Sequence, residues 1–399
     1  MAVDLRLLFP DRVQAIIANA QGLVVESLKG DVSARQYCRL RFPGVAAAQE
    51  FIQHCVEAKD PESECFTGRE VQESVLVAML LTSAGAARAS RVIVDVAGYI
   101  ERCGVPVPAL HLAIHDWGFL VIEDLGDVRL FDVFDDMDAQ KLKDTYTKLL
   151  DCLIRMQFPP PSVPRDCVAH TYSFSAERFL FELKSFAEPF SQVVLRRDLT
   201  QSEKKVVERT FPALCEEMMQ QELLFTHRDY HSRNVMIKND NLYIIDSQDA
   251  RLGPILYDIV SLVFDPYVSL SPAAQQELID YYLSELPAKS RNALRALGVS
   301  RAFDICRTQR CLKAAGTYAF MAAQRRNTDF LRFIPHAIGS ALEAARRSPD
   351  LLDLSNMLAH WLERTTEFLQ VSQLTDKEPP PVHRGPANGD NTNSSGCTS

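Results

Sequence analysis

The sequence has no apolar run long enough to cross a lipid bilayer. The longest run, residues 75–87, is interrupted by Thr82 and Ser83 and falls short of the roughly 20 apolar residues that a transmembrane helix needs. Asp4 and Arg6 interrupt the first residues, so the start does not resemble a secretory signal. We therefore expect a cytoplasmic protein with no membrane partner.

Cysteine pairs and excess positive charge are also missing. The ten cysteines include no Cys-x-x-Cys pair, which argues against a zinc site, and reduced thiols fit a cytoplasmic protein. Each cysteine is expected to be a small buried apolar side chain. The net charge is −9, which argues against a nucleic-acid partner. An anionic nucleotide is still permitted, because local groups and a metal ion decide its binding.

What the sequence does contain is a set of short apolar runs with polar residues at their ends. Residues 223–225, 235–237 and 242–245 are apolar and indicate three strands. Asn-Asp-Asn at 239–241 supplies turn residues between the last two runs. The stretch therefore predicts a loop followed by a small hairpin.

The polar residues of this stretch have the spacing of a phosphoryl-transfer site. Asp229 and Asn234 fit His-Arg-Asp-x-x-x-x-Asn, the catalytic loop in which the Asp accepts the proton of the acceptor hydroxyl and the Asn binds Mg²⁺. Asp246 ends the next strand and is the candidate for a second Mg²⁺ ligand, although Ser247-Gln248 follows it where Phe-Gly is usual. The alternative is a chance match, since His-Arg-Asp is a common tripeptide. The order, spacing and flanking strands favour the catalytic interpretation.

These motifs resemble the aminoglycoside phosphotransferase family. The resemblance rests on His-Arg-Asp-Tyr-His-Ser-Arg-Asn from His227 and on the run from Ile244 to Leu262, and it covers roughly residues 20–345. It implies an α+β, protein-kinase-like bilobal fold with a strand-rich N-terminal lobe and a helical C-terminal lobe. Gln-Asp-Ala, Gly-Pro and Tyr-Asp-Ile-Val-Ser-Leu in that run are most similar to bacterial amino-sugar kinases, which phosphorylate N-acetylmuramate and N-acetylglucosamine at the anomeric hydroxyl. ATP, Mg²⁺ and a sugar-like acceptor are implied, and Asp258 is implied to brace the catalytic loop.

The nucleotide site is expected near the N-terminus. Residues 23–28 and 36–42 predict two strands joined by a polar turn, and the resembling kinases carry a similar Gly-Asp-x-Ser-x-Arg turn. Gly30, Ser33 and Arg35 of this turn are the candidates for contacts with phosphate oxygens, with an ordinary hairpin as the alternative.

One expected residue is missing from the N-terminal lobe. Kinases place a phosphate-binding lysine on the strand predicted within residues 71–81, and residues 75–80 contain none. Arg35, Arg88 and Arg91 are the candidates to replace its charge, and a solvated arginine is the alternative for each.

The predicted organisation is two lobes and a tail. Residues 1–126 form the nucleotide-binding lobe, 127–374 the catalytic and substrate-binding lobe, and 375–399 a tail whose composition predicts disorder. Glu123 and Leu125, at the end of a predicted strand, are the hinge candidates for binding adenine. Residues 43–70 are interpreted as an insertion of unassigned role.

A basic cluster and the choice of acceptor leave alternatives open. Arg307, Gln309, Arg310 and Lys313 lie on one predicted helix, where a solvated basic face is favoured over a grip on a substrate carboxylate. An aminoglycoside or small-alcohol kinase is one rival function. A pseudokinase-like nucleotide-binding protein is the other, because of the missing lysine. Neither the acceptor nor the oligomeric state can be inferred from the sequence.

Overall fold

The computed structural model describes residues 9–28 and 35–374, the last four as backbone alone. Two of the candidate phosphate-binding residues, Gly30 and Ser33, lie outside these ranges. So does the segment 375–399, for which disorder was expected.

The N-terminal lobe is built around a six-stranded antiparallel sheet. Its elements are α1 (Asp11–Asn19), β1 (Val24–Leu28), β2 (Arg35–Arg41), α2 (Val45–Ala58), β3 (Cys65–Thr67), β4 (Val75–Leu81), α3 (Ala86–Arg102), β5 (Leu110–Ile114) and β6 (Phe119–Glu123). The strand order is β1-β2-β4-β6-β5-β3. Successive side chains of a strand face opposite sides of a sheet. Leu76, Ala78 and Leu80 of β4 accordingly pack in one apolar cluster, whereas Met79 packs in another.

The segment 43–70, interpreted from the sequence as an insertion, is part of the core of this lobe. Helix α2 contributes Ala48, Phe51 and Cys55 to the cluster that also contains Leu76 of β4. Strand β3 pairs with β5 at the edge of the sheet. The segment therefore covers one face of the sheet and extends it.

The C-terminal lobe is mostly helical, which together with the sheet confirms the predicted α+β class. Its helices are α4 (Leu130–Val133), α5 (Ala139–Gln157), α6 (Ala176–Phe190), α7 (Gln201–Met218), α8 (Tyr257–Val263), α9 (Pro272–Glu285), α10 (Ala288–Leu297), α11 (Val299–Arg325), α12 (Ile334–Arg346) and α13 (Leu352–Leu374). Its strands form two antiparallel pairs, β7 (Leu223–Thr226) with β10 (Arg251–Pro254) and β8 (Val235–Lys238) with β9 (Asn241–Ile244).

Helix α11 is the central element of this lobe and is buried along most of its length. Its close packing against α6 depends on Gly316. A Cβ atom at this position would lie 2.5 Å from the Cα of Phe186, which is shorter than a real contact between carbon atoms. Because glycine has no Cβ, the two helix backbones approach each other here, and this fixes which face of α11 points towards the catalytic loop.

Local features of the C-terminal lobe include a capped helix and a helix that contains proline. The side chain of Ser175 caps α6 by accepting a hydrogen bond from the N–H of Arg178. Helix α7 continues through Pro212. Strand β10 was not predicted.

The described residues also bear on the expectations about membrane helices and cysteines. None of the helices described is long and apolar enough to cross a membrane. All the cysteines among the described residues are free, and most of them are buried.

Candidate active site

The catalytic loop runs from the end of β7 to the start of β8 and is held by the first turn of α8. The carboxylate of Asp258 accepts hydrogen bonds from the backbone N–H groups of His227, at 2.6 Å, and Arg228, at 3.0 Å. Arg228 has φ 82°, a left-handed conformation that is unfavourable for a residue with a side chain. Asp258 therefore stabilises a strained turn, and the bracing implied by the family resemblance is present.

A second buried carboxylate holds the other end of the loop. Asp265 accepts hydrogen bonds from the backbone N–H of Ser232 at 2.9 Å and from its hydroxyl at 2.6 Å. The hydroxyl of Tyr230 donates to the carbonyl of Leu149 at 2.7 Å. Burial lowers the pKa of His227, so its imidazole is neutral near pH 7. Asp258 and Asp265 thus hold the loop from its two ends.

Asp229 projects from this loop towards two cationic side chains of α11. Its Oδ1 atom is 2.9 Å from Nζ of Lys313 and 3.4 Å from Nη2 of Arg310. Burial by itself would raise the pKa of Asp229, but the charges of Lys313 and Arg310 outweigh burial and hold this pKa well below its usual value. Asp229 is therefore ionised at neutral pH.

The basic cluster of α11 is not a solvated face, so that expectation was wrong. Arg307, Gln309 and Arg310 are buried and the Lys313 side chain is 14% exposed. Arg307 points away from the catalytic loop, where it donates to Ser340 at 2.8 Å and to Glu343 at 2.6 Å. Only Arg310 and Lys313 of the cluster reach Asp229, a contact that the sequence analysis missed. The available signal was their spacing of three residues, which places both side chains on one face of a helix.

The two candidate metal ligands lie in the same pocket as Asp229. Asn234 donates from Nδ2 to the backbone carbonyl of Asp229 at 2.9 Å, which leaves its Oδ1 as an available ligand oxygen. Asp246 follows β9 and lines the pocket. Carboxylate and amide oxygens are ligands that suit Mg²⁺, which is usually held by one or two protein groups together with phosphate and water oxygens. The described residues contain no cluster of three or more His, Cys, Asp or Glu side chains arranged to hold a metal.

Of the three arginines considered as replacements for the missing lysine, only Arg35 reaches a candidate metal ligand. Its Nη1 is 2.6 Å from Oδ1 of Asp246 and 2.9 Å from Oε1 of Gln248. Arg88 instead donates to the hydroxyl of Tyr172 and Arg91 to Glu64. Strand β2 therefore supplies a positive charge at the position of the candidate metal ligand Asp246.

The linker between the lobes, residues 123–127, contacts one cationic side chain from each lobe. Arg39 of β2 forms ion pairs with Asp124, at 2.6 Å, and Asp127, at 2.8 Å. Lys238 of β8 donates to Glu123 and to the carbonyl of Asp124, both at 2.9 Å. The Glu123 carboxylate thus has a structural contact that the sequence did not indicate.

One backbone group of the hinge candidates already has a hydrogen-bond partner within the protein. The N–H of Glu123 donates to Ala109, and Leu125 is buried beside it. Adenine binding at Glu123 and Leu125 stays a prediction.

An open pocket of about 240 Å³ is lined by Asp229 and by other charged and aromatic side chains. Helix α11 contributes Arg310, Lys313, Ala314, Thr317, Tyr318 and Met321 to it. Tyr267 and Phe330 contribute further aromatic rings. The guanidinium of Arg233 lies 4.7 Å from the ring centre of Phe330 and 5.0 Å from that of Tyr267, within the range of cation–π interactions.

A family model matches residues 69–296, more than half of the chain, and describes the phosphotransferase enzyme family. The chain belongs to this family. It is therefore a phosphotransferase, and the family implies ATP as the phosphoryl donor. The interpretation as an inactive nucleotide-binding protein is not supported, and Arg35 supplies a cation despite the missing lysine.

Relatives of this phosphotransferase bear the name N-acetylmuramate/N-acetylglucosamine kinase. The protein from Pseudomonas putida is 29% identical over 262 residues, which are 65% of this chain and 74% of the relative. That from Neisseria meningitidis is 27% identical over 256 residues, 64% of this chain and 75% of the relative. That from Caulobacter vibrioides is 24% identical over 355 residues, 85% of this chain and 91% of the relative.

Solved structures with a similar fold confirm the protein-kinase-like architecture. An ADP-bound aminoglycoside phosphotransferase has a TM-score of 0.52 with 11% identity and covers 84% of this chain and 98% of its own. A choline kinase from Cryptosporidium parvum has a TM-score of 0.52 with 13% identity and covers 87% and 98%. At these identities the likeness concerns the fold alone.

Proposed function

We propose that this phosphotransferase transfers the γ-phosphoryl group of ATP to the anomeric hydroxyl of an N-acetylated amino sugar, such as N-acetylmuramate or N-acetylglucosamine. The observation that carries the proposal is the similarity to several relatives that share one name and match 64–85% of the chain. The reaction needs ATP, which is the reason for expecting the protein in the cytoplasm.

Each candidate residue has a role in this reaction. Asp229 orients the acceptor hydroxyl and accepts its proton. Asn234 and Asp246 would hold Mg²⁺, which neutralises the charge that develops on the phosphate oxygens. Arg35 would contribute a further positive charge to those oxygens.

The remaining nucleotide contacts come from the N-terminal lobe. Gly30 and Ser33 would contact the phosphates from the segment that follows β1, and the backbone at Glu123 and Leu125 would bind adenine. The nucleotide would therefore lie between the sheet and the catalytic loop.

The three cationic side chains of the pocket outnumber its two carboxylates, Asp229 and Asp246, which argues against cationic acceptors. Arg310 and Lys313 line the pocket, and the ring faces of Tyr267 and Phe330 are already in contact with the cationic Arg233. An aminoglycoside or a choline-like alcohol would meet like charges there, and it would have to displace Arg233 to use the aromatic rings. An N-acetylated amino sugar carries no positive charge, so the pocket favours it over the rival class of acceptors.

The test is to incubate the protein with ATP and Mg²⁺ and with N-acetylmuramate or N-acetylglucosamine, and then to assay both phosphate incorporation and reducing ends. Phosphorylation at the anomeric position destroys the reducing end, whereas a 6-phosphate keeps it. We expect incorporation with loss of reducing ends. Incorporation with the reducing end retained would exclude the anomeric position. Turnover on an aminoglycoside or choline, with none on either sugar, would establish the rival acceptor class.

A further inference from the structure

Helix α8 carries two buried polar residues one turn apart, and only Asp258 is accounted for by bracing of the loop backbone. The second is Ser261, whose hydroxyl donates to the carbonyl of Tyr257 at 2.9 Å. The same oxygen accepts a hydrogen bond from Nε of Arg310 at 2.7 Å. Ser261 therefore fixes the orientation of the Arg310 guanidinium, and Arg310 in turn contacts Asp229.

The two cations of α11 bind the same oxygen of Asp229. Both Lys313 and Arg310 contact Oδ1, and within the described part of the chain no group donates a hydrogen bond to Oδ2. The Asp229 side chain is 27% exposed and lines the pocket. One carboxylate oxygen is therefore held by the protein and the other is available to a bound molecule.

We propose that Lys313, Arg310 and Ser261 are positioning residues that hold Asp229 by Oδ1 and direct Oδ2 at the acceptor hydroxyl. The proposal rests on the role of Asp229 in phosphoryl transfer, but it does not depend on which alcohol is the acceptor. In the reaction, the acceptor O–H bond breaks and its proton passes to Oδ2 of Asp229. The acceptor oxygen forms a bond to the γ-phosphorus, and the bond from that phosphorus to the leaving oxygen breaks and releases ADP.

Orientation explains why two cations are placed on a catalytic carboxylate. A neighbouring positive charge stabilises the ionised form and so makes Asp229 a weaker base, which by itself would slow proton transfer. The compensating gain is geometric, because a carboxylate held through one oxygen cannot rotate freely about its Cβ–Cγ bond. Placing a catalytic group in reacting geometry before the reaction is worth several kcal/mol in intramolecular model systems.

The test is a double-mutant cycle with Lys313→Met and Asp229→Asn, measured on whichever acceptor the protein phosphorylates. Asp229→Asn should lower kcat by about 10²-fold or more. Lys313→Met should lower kcat by about 10- to 100-fold with little change in the KM for ATP, but by less than about 3-fold when Asp229 is already Asn. Lys313→Arg should recover most of the activity, and Ser261→Ala should show a smaller loss in the same direction.

Arg307→Met is the matched control, because Arg307 is buried on the same helix and does not touch Asp229. It should lower the thermal midpoint and leave kcat unchanged, and thermal midpoints of all variants will separate folding defects from catalytic ones. Losses from Lys313→Met that multiply with those from Asp229→Asn, or a rise confined to the KM for the acceptor, would overturn the positioning role. Near wild-type turnover in Asp229→Asn would instead refute the catalytic role of Asp229. Absence of turnover on either sugar, with turnover on another alcohol, would refute only the proposed acceptor.

Discussion

Arg35 and Asp246 form an ion pair of 2.6 Å that joins β2 of the N-terminal lobe to the end of β9 in the C-terminal lobe. The Arg35 side chain is 16% exposed and that of Asp246 is 37% exposed, so solvent reaches the contact. Asp246 is also a candidate Mg²⁺ ligand. The guanidinium and a metal ion would thus compete for the same carboxylate, and binding of Mg²⁺ with ATP would move Arg35 from Asp246 to the phosphates.

Replacement of Arg35 should weaken binding of the nucleotide. Arg35→Met should raise the Kd for ATP with Mg²⁺ by about 10- to 100-fold, since hydrogen bonds to charged groups are worth about 1.5–3 kcal/mol. Arg35→Lys should lose less because it keeps the charge. Arg91→Met is the control, because Arg91 pairs with Glu64 away from the site. Nucleotide titration measures the effect, and an equal Kd in Arg35→Met and Arg91→Met would contradict the role.

The two candidate metal ligands should differ in their importance. Asp246→Ala removes a charged ligand and should abolish the Mg²⁺ dependence of ATP binding more completely than Asn234→Ala, which removes a neutral one. Nucleotide titrations with and without Mg²⁺ measure this directly. If both variants kept the metal requirement of the wild type, neither residue would be a ligand.

Asp258 should make the stability of the protein depend on pH. Burial raises the pKa of its carboxyl to about 7, and this rise is only partly offset by the two N–H groups of the loop. The folded protein therefore keeps a proton on Asp258 at pH values where the unfolded chain has lost it. Asp258 contributes most to stability below about pH 4, and this contribution is lost progressively as the pH rises towards about 7.

Asp258→Asn should remove this pH dependence, because an amide does not titrate. The difference in thermal midpoint between wild type and Asp258→Asn should shift in favour of the variant between about pH 4.5 and 7.5. Scanning unfolding at intervals across this range measures the difference. A difference that stays constant with pH would mean that the carboxyl of Asp258 has an ordinary pKa.

The sequence predicted the catalytic loop well because its geometry is encoded locally. The spacing from Asp229 to Asn234 and the apolar runs beside it define a turn and a hairpin, and the structure has both. The role of Asp258 came from the family resemblance and not from the spacing. Strands β3 and β10 were missed because each is short and exists through pairing with a distant strand, β5 and β7 respectively.

The contacts of Lys313 and Arg35 that complete the site could not be predicted from local sequence. Lys313 and Asp229 are 84 residues apart in the sequence, and Arg35 and Asp246 are 211 apart. A basic residue on an amphipathic helix looks the same whether it faces water or a buried carboxylate. For Lys313 the packing of α11 against its neighbours, including the close approach at Gly316, decides which of the two applies.

The cations that hold the linker also restrict the relative movements that the two lobes could make. Arg39 and Lys238 bind the linker from opposite lobes, so a lobe movement that kept these contacts would be a rotation about this point. Arg35 is four residues from Arg39 along β2, which corresponds to about 13 Å at 3.3 Å per residue. A rotation of about 10° about the linker would displace Arg35 by about 2 Å, enough to break a hydrogen-bonded ion pair. The ion pair between Arg35 and Asp246 would therefore be sensitive to even a small rotation of the lobes about the linker.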